Sequence, residues 1–308
     1  MVNTTGANYP PIVIDGTYGQ TISITLDKVD AIVDYILNLS MGTIVGSSTA
    51  VFDITEANPV ITHISIKANN ETIRDFDTEM LYEYMTKTRG TASDGYSYHI
   101  PMTDIQYSLK KRILNSLFPS YGFTQIKLYL TIAPISQITK NSGTGVNTAT
   151  GTSGATGYLT EYSLPRQSIN FKILDFRQLQ VESAMSLTGE NDLTQFISTD
   201  GYYKSLLYFA NTDQTYASAS DTLISKIELI LNLRTVLKSA YWLNMKSQDR
   251  SLFGSGMDTG YAMEIFMEDN DFSQLLALNN PIIQKSVNLK ATTTGSGYLY
   301  MLKNIYVD

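Results

Sequence analysis

The chain has 308 residues, no cysteine and a formal net charge of −7, with 43% hydrophobic and only 17% charged residues. That composition can fill folded cores and excludes disorder over most of the length, together with disulfides, Cys-ligated zinc and thiol catalysis. The 21 tyrosines against 1 tryptophan lean towards half-buried pleated surfaces, and an acidic balance without a large Lys/Arg cluster argues against a nucleic-acid-binding surface.

The opening residues, Met1-Val-Asn-Thr-Thr-Gly6, lack the basic stretch and apolar core of a signal peptide. No apolar run approaches the ~18 residues needed to cross a bilayer. The first expected strands are Gln20 to Leu26 and Thr43 to Ile54. Ile61 to Ile66 then alternates apolar and polar residues, Asn69-Asn70 supplies turn chemistry, and Thr72 to Phe76 returns. Thr78 to Lys87 has helical spacing, with Thr78 as N-cap and Leu81, Tyr82 and Met85 as its buried stripe. A strand at Tyr96 to Ile100 leads through Pro101 and Asp104 to a predicted helix, Tyr107 to Phe118. Its apolar face is Leu109, Ile113, Leu114 and Leu117; the other face carries Lys110, Lys111 and Arg112. After Pro119 and Gly122 comes an alternating strand, Thr124 to Ile132.

Lys140 to Thr160 is dominated by Gly, Ser, Thr and Asn and reads as a flexible linker or long exposed loop. It divides the chain into residues 1–140, a linker at 141–164 and residues 165–308. Strands are expected at Ser168 to Leu174, Leu179 to Met185 and Tyr203 to Ala210. Leu223 to Leu231 is a strand, Asn232 a turn, Thr235 to Leu237 the return and Ser239 to Lys246 a helix, with Ser239 as N-cap and Trp242, Leu243 and Met245 buried. Tyr261 to Met267 is a strand. The acidic loop Glu268-Asp269-Asn270-Asp271 precedes a short helix, Phe272 to Leu278, and Pro281 ends that region. Ile283 to Ala291 and Tyr298 to Val307 are the last strands.

The two halves repeat each other. Asn69/Asn232, Thr72/Thr235, Ile73/Val236 and Met80/Leu243 align without a gap. A period of about 160 residues is far beyond solenoid repeats and implies two complete domains. The helices are too few and short to cover a parallel sheet. An all-β chain follows: a double jelly roll, two β-sandwich domains each carrying a few short helices.

Candidate chemistry is sparse. His63 and His99 fall in expected strands and read as satisfied strand residues; the alternative is a metal site or a Ser/His/Asp triad. Residues 268–271 lack the Gly and terminal Glu of an EF-hand loop, so they read as a solvated loop capping the Phe272 helix, against structural calcium. Lys140-Asn-Ser before Gly143-Thr-Gly145 is the reverse of a phosphate loop, and Gly254-Ser-Gly256 and Gly295-Ser-Gly297 are loop punctuation and not nucleophile elbows. Lys110-Lys111-Arg112 is the one compact basic run: a solvated or subunit-pairing face, against contact with anionic lipid. Trp242, Met245, Met263 and Met267 stand at core spacings.

Three segments carry a family likeness. They are His63-Ile-Ser-Ile-Lys67 through Arg74 and its helix; Tyr98-His-Ile-Pro-Met102 through Phe118, then Gln125-Ile-Lys-Leu-Tyr-Leu130; and Tyr261-Ala-Met-Glu-Ile-Phe-Met-Glu268 with Phe272 to Leu278 and Val287-Asn-Leu-Lys290. Their duplicated order resembles the double jelly-roll major capsid proteins of tailless, membrane-containing icosahedral viruses, of the tectivirus, corticovirus and Flavobacterium-infecting lipid-containing phage type. The long Gly-rich stretch departs from that pattern. The resemblance implies no catalytic, cofactor-binding or metal residues and no enzyme activity. It implies a homotrimer that forms pseudo-hexagonal capsomers and tiles a shell over an internal membrane. The implied partners are further copies of the chain, neighbouring capsomers, penton and minor capsid or membrane proteins, and the lipid surface at its base. The protein would be made in the host cytoplasm and reside in the virion. The competing function is a receptor- or carbohydrate-binding β-sandwich spike or adhesion protein; an enzyme on a β-sandwich has no positive residue pattern behind it.

Overall fold

The structure, a computed structural model, describes residues 11–45, 50–56, 58–90, 95–107, 111–141, 150–151, 154–193, 201–232, 234–267, 271–277 and 287–307. The chain divides into two compact units. The first comprises Met1–Tyr82, Thr91–Asp104 and Ile113–Ile173; the second comprises Glu83–Gly90, Ile105–Arg112 and Leu174–Asp308.

The first unit is built from β1 (Ile12–Gly16), β2 (Thr21–Thr25), β3 (Ala31–Met41), β4 (Ile61–Ala68), β5 (Glu71–Asp77), helix α1 (Thr78–Arg89, whose later residues group with the second unit), β6 (Ser97–Pro101), β7 (Ile126–Ile132) and β8 (Ala155–Leu164). One antiparallel sheet runs β1-β8-β3-β6 and the other β2-β7-β4-β5. Period-two alternation places one face of each strand inward. In β7, Ile126, Leu128, Leu130 and Ile132 are buried while Lys127, Tyr129 and Thr131 are only partly covered. Burying each such aliphatic side chain contributes about 1.5–3 kcal/mol.

The second unit repeats this order. It has β9 (Asp175–Met185), β10 (Gly189–Leu193), β11 (Tyr202–Asn211), β12 (Ile224–Leu231), β13 (Thr235–Tyr241), helix α2 (Trp242–Phe253), β14 (Tyr261–Ile265), β15 (Val287–Thr293) and β16 (Gly297–Val307). Its sheets run β9-β16-β11-β14 and β10-β15-β12-β13. Each strand therefore has its counterpart eight strands earlier, which is a jelly roll written twice. Leu206, Tyr208, Ile227, Leu229, Trp242, Met245, Leu289 and Met301 belong to the second core.

The repetition extends to irregularities. The β4/β5 register shifts between Ile66 and Lys67, and the β12/β13 register between Leu229 and Ile230. Each bulge is followed by a left-handed asparagine, Asn69 at φ 55° and Asn232 at φ 51°. Asparagine tolerates that conformation at lower cost than other non-glycine residues. After β6, the Met102 and Thr103 amides both donate to the Val33 carbonyl; after β14, those of Phe266 and Met267 both donate to the Lys204 carbonyl. The bulges correct the gapless alignment. Arg74 pairs with Ile66 and Lys238 with Leu229, so Ile73 corresponds to Leu237 rather than Val236.

Several sequence expectations change. Ala155–Leu164, expected in the linker, is the strand β8 between β1 and β3. Its glycine content has a steric cause: a Cβ on Gly157 would lie 2.0 Å from the Asn38 carbonyl oxygen. Residues 142–149 and 152–153 of that stretch lie outside the described residues. The expected helix Tyr107 to Phe118 is absent from the described part of that span, which holds a strand at Lys111–Ile113 and a 3-10 turn at Leu114–Ser116. There Ser116 accepts from the Asp104 amide and donates to the Ile113 carbonyl, both at 2.6 Å, so a side chain takes up backbone groups that a helix would have paired. Phe272 to Leu278 is a 3-10 turn at Phe272–Gln274 followed by extended Leu276–Ala277. Ser168 to Leu174 is irregular after the turn Arg166–Ser168 that Pro165 opens. Among the described residues of Thr43 to Ile54, Ile44–Val45 and Ala50–Phe52 are strands, and residues 46–49 lie outside them. Ser239 lies within β13, and α2 starts at Trp242 with no side-chain cap. Its inward stripe is Trp242, Met245 and Asp249, which turns Leu243 outward to 67% exposure.

The Asn69 side chain accepts hydrogen bonds from the Thr124 amide at 2.9 Å, the Thr124 hydroxyl at 2.7 Å and the Gln125 amide at 3.2 Å. Asn69→Ala combines left-handed strain with the loss of those bonds, and guanidinium unfolding should show a loss of about 2 kcal/mol. Asn69→Gly, which keeps the conformation, should lose less than the alanine variant.

Candidate functional site

His63 on β4 reaches Asp77 from Nδ1 at 2.8 Å and Asp75 from Nε2 at 3.0 Å, both on β5. These hydrogen bonds raise its pKa to about 9. With both ring nitrogens donating, the imidazolium serves as a cross-strand tie and leaves no nitrogen to accept a proton. His99 lies 3.4 Å from Asp34, on the neighbouring strand β3. The two histidines lie on different sheets and pair with different carboxylates. Among the described residues no group of three or more His, Asp or Glu is arranged to hold a metal ion.

The other sequence candidates have structural placements. Asp271 caps the 3-10 turn after it, accepting from the Ser273 amide at 3.0 Å and the Ser273 hydroxyl at 2.6 Å. Residues 268–270 and Lys110 lie outside the described residues. Lys111 is exposed, on a strand and not on a helix face. Gly254 ends α2 in the left-handed conformation, its amide bonded to the Arg250 carbonyl at 3.1 Å. Trp242, Met245, Met263 and Met267 are all buried.

Sequence reasoning missed the buried charges. In the first unit Arg74 of β5 is fully buried and donates from Nε to the Pro101 carbonyl at 3.2 Å and from Nη2 to the Met102 carbonyl at 3.0 Å. The equivalent Lys238 donates to the Ile265 carbonyl at 3.4 Å and lies 3.4 Å from Glu264. The same strand position thus sends a cation to carbonyls at the end of the same opposing strand in both units. In the second unit Lys204 is buried, donates to the Ile105 carbonyl and stands 4.5 Å from the centre of the Tyr107 ring.

A second charged group surrounds an open depression of about 790 Å³ beside α2 in the second unit, lined by Asp221, Leu243, Lys246, Arg250, Met257 and Asp258 among others. Most of its charges are paired, and Arg250 is exposed. Lys246 holds both Asp221 oxygens at 2.6 Å, Lys87 reaches Asp258 at 3.1 Å, and the Asp258 amide donates to Glu83 at 2.9 Å. Burial pushes the carboxyls of Glu83 and Asp249 up to about 7. In the first unit burial takes Glu79 to about 8 and Glu161 to about 7. A signal for these positions exists in the sequence, as charged residues at inward phases of otherwise apolar elements. It is indistinguishable there from a solvated face.

What the surface does offer is apolar. Val13 and Tyr158 face each other in register across β1 and β8 and are 68% and 57% exposed. On β13 and the start of α2, Val236, Leu237, Tyr241 and Leu243 are all exposed. The counterpart strand β5 buries its own Ile73 and Phe76.

Two eight-stranded jelly rolls in one chain define the double jelly-roll fold. No protein-family model matches the sequence, and no curated protein matches it. Solved structures do. The STIV MCP matches at 13% identity and a TM-score of 0.70, covering 97% of this chain and 95% of that one. The major capsid protein P2 from bacteriophage PM2 matches at 10% identity and a TM-score of 0.63, covering 98% and 96%. The PBCV-1 virus capsid matches at 12% identity and a TM-score of 0.61, covering 96% and 92%. The chain has the double jelly-roll fold of these viral capsid proteins, over nearly its whole length.

Native pKa values raised above those of the unfolded chain mean that the folded protein holds protons more tightly, so stability falls as pH rises between the two values. Glu79, Glu83, Asp249 and Glu161 contribute stability in full below about pH 4 that is lost as pH rises through about 7 to 8; His63 contributes below about pH 6.5 and loses it through about 9. Scanning calorimetry should give a higher Tm near pH 5 than near pH 9, and Glu83→Gln should flatten the fall below pH 8.

Proposed function

We propose that this chain is the major capsid protein of a tailless icosahedral virus. The observation that carries the reading is the doubled jelly roll, repeated strand for strand and bulge for bulge. Two similar sandwiches in each of three copies would give six near-equivalent lobes, the geometry a hexagonal tile needs. On this reading the protein forms a homotrimer, the trimers tile a shell beside penton and minor capsid proteins, and the shell encloses a membrane. The protein works by lateral contact and not by catalysis, and the genome is not its ligand. Support comes from the exposed apolar residues on β1, β8, β13 and α2 and from the net charge of −7, which disfavours phosphate binding.

Purified protein should sediment as a trimer and show a hexagonal outline by negative-stain microscopy. A monomer at all concentrations up to the millimolar range would overturn the reading. Saturable binding of a monomer on a glycan array would favour the receptor- or carbohydrate-binding spike.

A further inference from the structure

We propose that β13 together with the first turn of α2 is the docking surface for β1 of a second copy of this chain, a contact made head to tail. This deepens the capsid reading and rests on it. The first observation is a difference between equivalent strands. Ile73 on β5 is 1% exposed and its counterpart Leu237 on β13 is 37% exposed; Glu79 at the start of α1 is 8% exposed and Leu243, at the matching place in α2, is 67% exposed. One module hides this side and the other presents it, with Val236 and Tyr241 added to the apolar surface. Four large apolar side chains exposed within eight residues are denser than the scattered apolar residues that any soluble surface carries.

The second observation is an open edge. Among the described residues β13 pairs with β12 alone, and β1 pairs with β8 alone. An unpaired edge with apolar flanks is a template for another strand. The third observation identifies the occupant. Of the large apolar residues exposed on the first unit, Val13 and Tyr158 are the pair that lie opposite one another, Val13 on the edge strand β1 and Tyr158 on its inner neighbour β8. The other strands that end a sheet there, β2 and β6, offer no such match: β2 turns Thr21, Ser23 and Thr25 outward, and β6 exposes no large apolar residue. Charge does not oppose the contact: β13, Thr-Val-Leu-Lys-Ser-Ala-Tyr, carries no acid that would repel the exposed Asp15 of β1, Ile-Val-Ile-Asp-Gly. Because the two surfaces lie on different units of the chain, the contact joins unlike patches and propagates from copy to copy until it closes into a ring.

The cysteine-free sequence makes the test direct. Val13→Cys and Ser239→Cys are made in separate preparations, both at exposed positions, and treated with a short bis-maleimide. The mixture should yield a covalent dimer that neither preparation yields alone. In parallel, the Tyr241→Lys/Leu243→Lys variant, with its thermal unfolding checked against wild type, should weaken self-association by about tenfold or more in sedimentation equilibrium. Self-association of the wild type with no cross-link in the mixture, or cross-linking within either single preparation, overturns the docking surface and leaves the capsid reading standing. A wild type that never associates sinks both.

Discussion

An antiparallel sheet with one apolar face is stable in water only when that face is covered, and everything in this chain follows from covering it the same way twice. Each unit lays one four-stranded sheet over another and fills the space between with alternating aliphatic and aromatic side chains. Bulges and tight turns set the twist and register of those sheets. The Asn69 and Asn232 hairpins are examples: each joins two neighbouring strands of one sheet across a one-residue register shift and takes a conformation that most side chains resist. That such a detail recurs in both units indicates a shared geometric need more than a local accident.

The cation at the bulge makes the same point energetically. Carbonyls at the end of β6 would be left without partners in a dry interior, and Arg74 meets them from across the sandwich with a planar fork. In the second unit a lysine serves the same place, with a partly open side chain and a carboxylate neighbour. The first solution is drier and more rigid. The two modules thus differ at this position of β5 and β13 while their sheet order is the same.

Much of this architecture was legible in the sequence because period-two alternation survives single-sequence reading. The strands around Ile64, Leu128, Tyr208 and Met301 could be placed, and the Asn69/Asn232 correspondence exposed the duplication. Three kinds of signal misled. Gly157 and its threonine neighbours looked like linker because close backbone approach and flexibility call for the same residue. The apolar spacing at Ile113 and Leu117 suited a helix, but Ser116 bonds across to Asp104 and the segment is turned and extended. Leu243 looked like core because it adjoins Trp242 in an apolar run; the inward face that Trp242 and Met245 do form leaves it outside. The inward phase of Glu83 and Asp249 could not be told from a solvated face in the sequence, since their covering partners come from residues such as Met263 and Asp258 that are remote along the chain.

The pairing of first with last strand in each module has a further meaning. Ile12 lies opposite Leu159 in one unit and Asp175 opposite Val307 in the other, so each sandwich takes in the polypeptide and lets it out at the same end. Such a fold behaves as a cassette. A copy can be spliced in tandem after the exit strand, and the 10 residues between Leu164 and Asp175 are all the connection this chain uses. Tandem fusion of this kind converts a small symmetric building block into a larger one without redesigning its interior.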